Sequence, residues 1–332
     1  MRIALDAMGS DRAPAVEVEG AVGALRELDG DFTVVLVGDR EAIEAELARY
    51  PDVPRERVEV VHASQVIEMG EAPAQAIRRK QDSSIVVGLG LHKRGEADAF
   101  ISAGSTGAVM AGSLFILRPL PGVDRPAIGT VFPTAEGRTI VVDSGANVDT
   151  RPQHLQQFAR LGTIYAQDAL EVDVPRVGLL NIGEEPEKGD ERSVETYQLL
   201  ASTPGIDFVG NVEGRDIISG RCDVLVCDGF VGNVLLKFYE SIAGFIIHLM
   251  RTELDLAGKE AGMERVVRTL DYTESGGAPL LGVNGITIIC HGGSPPRAIR
   301  NAIRLAVHAA ERGLVAHMAR ELARPAETSE AQ

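Results

Sequence analysis

The chain has 332 residues, 45% of them hydrophobic and 24% charged, which is enough for a large core in one α/β unit or in two domains. Its formal net charge of −15 argues against a nucleic-acid partner, because a phosphate backbone repels an acidic surface. Aromatic residues make up only 4% of the chain and Trp is absent, so stacking of bases or sugars on aromatic platforms is not expected.

Cys222, Cys227 and Cys290 form an odd, sparse set without a CxxC spacing. This pattern favours a reducing compartment and does not indicate a structural zinc site. The N-terminus enters a strand directly at residues 2–5 and carries no signal-peptide pattern. The most apolar stretch, Val231–Met250, contains charged side chains and a histidine, so no membrane span is predicted there. We therefore predict a cytoplasmic protein.

Short apolar runs alternate with helical patterns, which is typical of a mostly parallel sheet covered by helices on both faces. In chain order, strands are predicted at Ile3–Leu5, Thr33–Val37, Val58–Val61, Ala99–Ser102, Ala127–Phe132, Thr139–Val142, Val177–Ile182, Asp207–Val209, Val224–Cys227 and Ile286–Cys290. Apolar residues at helical spacing predict helices at Val16–Leu28, Glu41–Arg49, Val109–Leu117 and Leu155–Leu170. The polar residues 324–332 are predicted to form a frayed tail.

Nearly every predicted strand runs into a loop rich in Gly, Asp, Asn or Ser. Six such loops lie at 6–11, 102–107, 143–147, 181–185, 228–233 and 291–294. In open α/β sheets the carboxyl ends of the strands face the ligand crevice, so loops from the whole chain length predict one shared site. The alternative for any single loop is ordinary turn chemistry.

The loop 103–108 follows a predicted strand and opens a predicted helix. Free backbone N–H groups and the helix dipole at such a place favour a phosphate, which makes Gly104, Ser105, Thr106 and Gly107 candidate phosphate-binding residues. The segment has neither the Walker nor the dinucleotide-binding pattern. An ordinary Ser/Thr helix cap is the alternative.

Two further loops carry candidate charged groups. In the loop 143–149, clustered carboxylates and an amide indicate either a metal site or bracing of the loop by hydrogen bonds, and bracing is favoured. In Gly183–Gly189, Lys188 lies among three Glu residues and can neutralise a phosphate or an oxyanion. A solvated charged loop is the alternative for the second segment.

Asn233 is interpreted as a cap or first-turn residue of a helix starting at Val234, or as an amide donor to a substrate carbonyl. His291 is a candidate acid or base near neutral pH, although a lone His at a strand end is more often structural. No serine has a GxSxG elbow. The three cysteines lie in apolar runs, where a thiolate is disfavoured. A covalent nucleophile is therefore not predicted.

The ordered set of loops resembles the PlsX family, the acyl-ACP:phosphate acyltransferases of bacterial phospholipid synthesis. The resemblance runs from residue 1 to about residue 310, on the segments 6–9, 102–108, 125–127, 143–147, 181–185, 210–214, 228–233, 271–272, 276–282 and 291–292. Two positions depart from the usual family pattern: Ser10 stands where the family has Gly, and Gly293 stands where it has Ser.

The resemblance implies a three-layer α/β/α fold like that of isocitrate and isopropylmalate dehydrogenases and of phosphotransacetylases. In that fold two intertwined lobes share one mixed sheet, and the site lies in the cleft between them. We expect one lobe at about 1–145 plus 283–323 and the other at about 146–282, with a helical hairpin at 233–272. The resemblance also implies a homodimer and no nicotinamide or other cofactor.

The implied reaction transfers a long-chain fatty acyl group from acyl carrier protein (ACP) to inorganic phosphate. The acyl phosphate product would feed a membrane glycerol-3-phosphate acyltransferase, so peripheral association with the inner face of the membrane is a second expectation. The alternatives are a short-chain phosphate acyltransferase that uses acyl-CoA, a decarboxylating dehydrogenase of the same fold, and a non-catalytic scaffold that recruits lipid-synthesis enzymes.

For this reaction the 104–107 loop is expected to hold phosphate and Lys188 to neutralise charge. Asn233 or Asn147 would donate to the thioester carbonyl, and His291 would handle a proton. The remaining predicted cleft residues are Asp6, Gly9, Asp11, Asp143, Glu184 and Asp228. No metal is expected. Acidic ACP would dock on one of two basic clusters, Arg78-Arg79-Lys80 with Lys93 and Arg94, or Arg297, Arg300 and Arg304.

Overall fold

The computed structural model describes residues 1–253, 266, 269–270, 274 and 276–323. Within this part of the chain the strands are β1 (Arg2–Asp6), β2 (Thr33–Gly38), β3 (Val58–His62), β4 (Ala99–Ser102), β5 (Ala127–Thr134), β6 (Gly137–Val142), β7 (Arg176–Asn181), β8 (Asp207–Glu213), β9 (Val224–Val226), β10 (Ala278–Leu281) and β11 (Thr287–Ile289). Each of the ten predicted strands overlaps one of these, and β10 was not predicted.

The described helices include the four that helical spacing predicted. They are α1 (Ala15–Glu27), α2 (Arg40–Leu47), α3 (Pro73–Arg79), α4 (Ser84–Lys93), α5 (Thr106–Gly112), α6 (Pro152–Ala169), α7 (Glu191–Ala201), α8 (Gly229–Glu253), α9 (Pro296–Glu311) and α10 (Leu314–Ala323). The predicted helix Val109–Leu117 is split, because α5 continues from Ser113 to Leu117 as a π-helical segment.

The chain forms two compact units. The described residues of Met1–Pro126 and Ser275–Arg320 make up the first, and those of Ala127–Glu274 and Glu321–Gln332 make up the second. These bounds differ from the predicted lobes, which divided the chain at about 145 and 283. The β5–β6 hairpin belongs to the second unit because β6 pairs with β9, and β10 belongs to the first because it pairs with β11.

In the first unit the strands lie in the order β3-β2-β1-β4-β11-β10. The first five are parallel, and β10 is antiparallel to β11. Central strands of this kind are covered on both faces and are therefore almost continuously apolar, as Ile3, Ala4 and Leu5 in β1 show by being fully buried. Helix α1 packs against α9, and a Cβ at Gly20 would lie only 2.5 Å from the Ile299 Cβ.

In the second unit the order is β5-β6-β9-β7-β8. The β5–β6 pair is an antiparallel hairpin, and β6, β9, β7 and β8 are parallel. The carboxyl ends of β6, β7 and β9 therefore meet at one edge, and the loops that follow them are the predicted polar loops.

Helix α8 is the most apolar long helix described. By length and composition alone its segment Gly229–Met250, with a mean hydropathy of 1.4 and 17% of it buried, is long and apolar enough to cross a membrane. The sequence predicts no span there because the segment contains Lys237, Glu240 and His248. In the structure Lys237 and Glu240 form an ion pair at 2.8 Å. Most of the second half of the predicted hairpin 233–272, and the predicted tail 324–332, lie outside the described residues.

Candidate active site

In the first unit the loops after β1 and β4 are joined by a buried hydrogen-bond network. The Ser102 hydroxyl donates to Asp6 Oδ2 at 2.6 Å and accepts from the Gly104 amide at 3.0 Å. A Cβ at Gly9 would lie 2.5 Å from the Gly104 nitrogen, so only glycine permits this approach. Burial raises the pKa of Asp6, and hydrogen bonds from Ser102, Ser84 and the Met8 amide oppose that shift.

Some polar groups of the predicted phosphate loop already form hydrogen bonds within the protein. The Gly104 amide is bound by Ser102, and the Ser105 hydroxyl caps α5 by accepting from the Ala108 amide at 3.4 Å. The amides of Thr106 and Gly107 belong to the first turn of α5, where N–H groups have no partner within the helix. The helix-cap alternative therefore holds for Ser105, and Thr106 and Gly107 remain the candidate phosphate donors.

The loop after β11 meets the loop after β1. The Asp11 amide donates to the Gly292 carbonyl at 2.9 Å. His291 is exposed, and its Nδ1 accepts from the Gly293 amide at 3.1 Å. In the neutral ring this leaves the proton on Nε2, so any proton handling by His291 would use that atom.

Glu17 was not singled out in the sequence and lies next to this network. It is fully buried on α1, its Oε1 accepts from the Ser10 amide at 2.9 Å, and its Oε2 has no hydrogen-bond partner. Burial raises its pKa from 4.5 to about 7, hydrogen bonds with Ser10 oppose the shift, and Asp6 adds to it. Helical spacing offered a signal, because Glu17 lies on the same face as the buried Gly20, Ala21 and Ala24.

In the second unit Asp143 organises the loop after β6. Its Oδ1 accepts from the amides of Ile128, Gly145 and Ala146 at 3.0, 3.2 and 3.0 Å. Its Oδ2 accepts from the Asn147 amide and side chain at 2.6 and 2.9 Å. Burial raises the Asp143 pKa, and these hydrogen bonds oppose the shift.

Loop bracing is thus the arrangement found for Asp143. No group of three or more His, Cys, Asp and Glu side chains that could hold a metal ion occurs among the residues described. The Asn147 side chain donates an N–H to Asp143 Oδ2, which fixes the orientation of its amide group within the loop.

The predicted start of the long helix was wrong. Helix α8 begins at Gly229, and Asp228 Oδ1 accepts from the Val231 amide at 2.9 Å, so Asp228 is the cap. Asn233 lies in the second turn instead, exposed, and its Oδ1 is 3.5 Å from the Cβ position of Gly145. Gly229 and Gly232 look like loop residues in the sequence, but both permit α8 to pack closely on the Asp143–Asn147 loop.

Arg192, the cation next to this cluster, was also missed. It lies in the first turn of α7, its Nη2 is 2.8 Å from Asp228 Oδ2, and its Nη1 donates to Thr150 Oγ1 at 3.1 Å. The guanidinium therefore joins the loops that follow β6, β7 and β9. A charged residue in a helix turn carries no sequence signal for this role.

Lys188 and Glu184 lie on the loop after β7, and both are exposed. Lys188 forms no ion pair with the residues described, and its carbonyl accepts from the Asn181 side chain at 2.9 Å, which fixes the loop. Glu184 is ion-paired with Arg221 at 2.7 Å, and the structure does not join it to Asp143 or Asp228. Contacts between some of the strand-end loops are therefore found within each unit, and the shared site and the roles of its residues stay predictions.

The three cysteines are buried free thiols. Burial raises the pKa of Cys222 and of Cys290 to about 12 in each case, and it also raises that of Cys227. Thiols with such pKa values carry almost no thiolate at neutral pH, so they are poor nucleophiles.

The fold resembles solved acyl-transferring enzymes. The EutD phosphotransacetylase from Staphylococcus aureus superposes with a TM-score of 0.61 at 17% identity over 94% of both chains. A branched-chain phosphotransacylase from Enterococcus faecalis gives 0.58 at 14% identity, over 93% of this chain and 99% of that one. The predicted phosphotransacetylase-like α/β fold is thereby confirmed.

Sequence comparison extends over almost the whole chain. A family model described as "Fatty acid synthesis protein" matches residues 1–317. A protein named phosphate acyltransferase from Desulforamulus reducens is 52% identical over 322 residues, 95% of each chain. Another of the same name from Citrifermentans bemidjiense is 49% identical over 97% of this chain and 93% of its own. The family match and the near full-length identity explain both the polar strand-end loops and the fold. This chain belongs to the PlsX family of fatty acid synthesis proteins.

Proposed function

We propose that this acyltransferase moves a long-chain fatty acyl group from ACP to inorganic phosphate and releases acyl phosphate for phospholipid synthesis. The observation that carries the proposal is the identity of 45–52% over nearly the full length with relatives named phosphate acyltransferase. Phosphate as acceptor follows from that name, while ACP as donor and acyl phosphate as product are the finer parts of the proposal.

The chemistry of the described loops supports direct attack by phosphate. A phosphate dianion is already nucleophilic near neutral pH, so the enzyme must orient it against the thioester and stabilise one developing oxyanion. Small loops rich in glycine, hydroxyls and amides suit that task. The buried cysteines, with their raised pKa values, do not suit formation of an acyl-enzyme.

The proposed activity is tested by incubating the protein with hexadecanoyl-ACP, with and without phosphate. We expect phosphate-dependent loss of acyl-ACP and formation of acyl phosphate. Acyl-CoA as the preferred donor would instead support the short-chain phosphate acyltransferase. Intact-protein mass spectrometry without phosphate should detect no acylated enzyme, and an acylated form that releases acyl phosphate on adding phosphate would contradict direct attack.

Loss of the Lys188 ammonium should reduce turnover strongly. The group is proposed to offset repulsion between phosphate and the growing oxyanion, so Lys188→Ala should lower kcat by about a hundredfold, the scale of one lost oxyanion donor. Glu187→Ala, at an exposed position next to it, is the matched control and should retain activity. Steady-state rates within threefold of each other for the two variants would remove Lys188 from the mechanism.

Each of the two predicted ACP-docking clusters has charges that are already paired. Lys80 is ion-paired with Glu71 and Arg94 with Glu96 in one cluster, and Arg300 is ion-paired with Glu27 in the other. Arg78 and Arg79 are exposed on α3, which packs against the predicted phosphate loop through Pro73. These positions make the α3 cluster the better candidate for docking an acidic carrier protein.

Charge reversal on α3 should therefore weaken use of acyl-ACP. Arg79→Glu is expected to raise the KM for acyl-ACP roughly fivefold, the scale of one exposed ion pair, and to leave the KM for phosphate unchanged. Arg304→Glu on α9 supplies the same change of charge in the other cluster. If Arg304→Glu raises the KM for acyl-ACP more than Arg79→Glu does, the docking site lies on α9 instead.

We also propose that α8 forms a homodimer interface. Its apolar side chains at three- and four-residue spacing are exposed in the single chain: Phe238, Ile242, Phe245, Ile246 and Leu249. A symmetric partner is a common cover for such a face. Phe245→Glu should convert the dimer to a monomer in light scattering, and a dimer that persists would contradict this interface. Cytoplasmic location and delivery of acyl phosphate to a membrane glycerol-3-phosphate acyltransferase complete the proposal.

A further inference from the structure

The second unit contains an apolar pocket at the carboxyl ends of β7 and β9. Its volume is about 590 Å³, within the roughly 300–1,000 Å³ that small-molecule sites occupy. Leu155, Leu179 and Ile217 are buried and form part of its lining. The first turns of α8 contribute side chains that include Val234 and Phe238, which are 55% and 63% exposed.

The charged side chains of the pocket lining are Asp190, Arg192 and Asp228. Arg192 and Asp228 belong to the lining and neutralise each other in an ion pair of 2.8 Å. Directly after Asp228, the Cβ position of Gly229 is 2.8 Å from the Asn147 amide nitrogen and from Asp143 Oδ2. The apolar pocket therefore runs into the loop that carries one of the predicted carbonyl donors.

We propose that this acyl pocket holds the hydrocarbon chain of the acyl donor, with the thioester end towards the Asp143–Asn147 loop; the inference rests on the proposed function. An aliphatic chain matches an aliphatic wall whose charges are already paired, and it needs no polar partner along its length. It would also cover Val234, which is more than half exposed in the single chain. Each CH₂ group it buries should strengthen binding roughly fourfold.

The chain contains no Trp, so a single introduced Trp is a clean reporter of occupancy. Phe238→Trp places it in the lining, and Phe245→Trp places a matched control on the same helix outside the lining. Dodecanoate should shift the Phe238→Trp emission to the blue in a saturable way, whereas butanoate should not. Equal responses of the two variants would mean non-specific binding to α8 and would overturn the proposal.

Filling the pocket should change chain-length preference. Val234→Trp should lower kcat/KM for hexadecanoyl-ACP by at least about tenfold, equivalent to about two buried CH₂ groups, and change that for butanoyl-ACP less than about twofold. Ser241→Trp, at an exposed position of α8 outside the lining and outside the proposed dimer interface, should leave both values unchanged. Equal losses for both donors in a folded Val234→Trp enzyme would contradict an acyl pocket.

Failure of the pocket and failure of the proposed function give different results. If the wild-type protein makes no acyl phosphate from any donor while the Phe238→Trp variant responds to dodecanoate, the proposed reaction is refuted and the hydrocarbon site is kept. If the wild-type enzyme is fully active but the Phe238→Trp variant does not respond to dodecanoate, the acyl pocket is refuted and the proposed reaction is kept. Because the reporter measures binding, it decides the question even if Val234→Trp does not fold.

Discussion

Replacing Gly232 by alanine should lower the free energy of unfolding by about 3 kcal/mol, the upper end of the usual range for overpacking. A Cβ at this position would overlap the carbonyl oxygen of Asp143. Neither side can yield easily, because Gly232 lies within α8 and Asp143 is held by five hydrogen bonds. The strain would displace the loop that carries Asn147, so activity should fall together with stability.

Gly244→Ala is the matched control on the same helix. No atom lies within 4 Å of its Cβ position. Alanine should therefore stabilise the protein by up to about 1 kcal/mol, the difference in helix propensity between the two residues. Urea unfolding of both variants measures the contrast. Equal changes in stability would show that α8 does not pack on the Asp143 loop as described.

Glu17→Gln should remove a pH dependence of stability. Burial raises the Glu17 pKa from 4.5 to about 7, so between these values the folded protein retains a proton that the unfolded chain has lost. The contribution of Glu17 to the free energy of unfolding is fully present below about pH 4.5. It falls as the pH rises to 7 and stays low above pH 7. The loss is roughly 3 kcal/mol, because each pKa unit corresponds to about 1.4 kcal/mol. Glutamine cannot lose a proton there.

The variant should thus equal wild type at pH 4.5 and exceed it by roughly 3 kcal/mol at pH 8. The Gln Oε1 can still accept from the Ser10 amide, which keeps the loop after β1 in place. Glu19→Gln, at an exposed position of the same helix, should change stability by less than about 0.5 kcal/mol at either pH. Parallel pH profiles for wild type and Glu17→Gln would show that Glu17 is ionised throughout.

Most strands and helices could be predicted from the local sequence pattern, and the exceptions have physical causes. All ten predicted strands are found, and the central parallel ones, such as β1, are the clearest because they are continuous apolar runs. Strand β10 was missed because four residues with a proline give no period, and its pairing with β11 is decided by tertiary structure. The start of α8 was placed too late because Gly229 and Gly232 indicate a loop locally. Close packing against the Asp143 loop requires glycine there.

The site could be predicted only as a set of loops. That strand-end loops meet follows from the geometry of a parallel sheet, and the contacts of Asp6 with Ser102 and of Asp228 with Arg192 agree with it. Which side chain pairs with which depends on residues far apart in sequence. For that reason Glu17 and Arg192 had no signal strong enough to single them out.

The order in which the two units are completed at the ribosome follows from how the chain is divided between them. Almost all of the second unit is one continuous segment, whereas the first needs 275–320 beside 1–126. Strand β4 receives its neighbour β11 only after the segment between them has been synthesised, a delay of roughly 9–37 seconds at usual elongation rates. During that time one edge of β4 is unpaired and open to aggregation, so nascent chains of this protein should depend on chaperones for the first unit more than for the second.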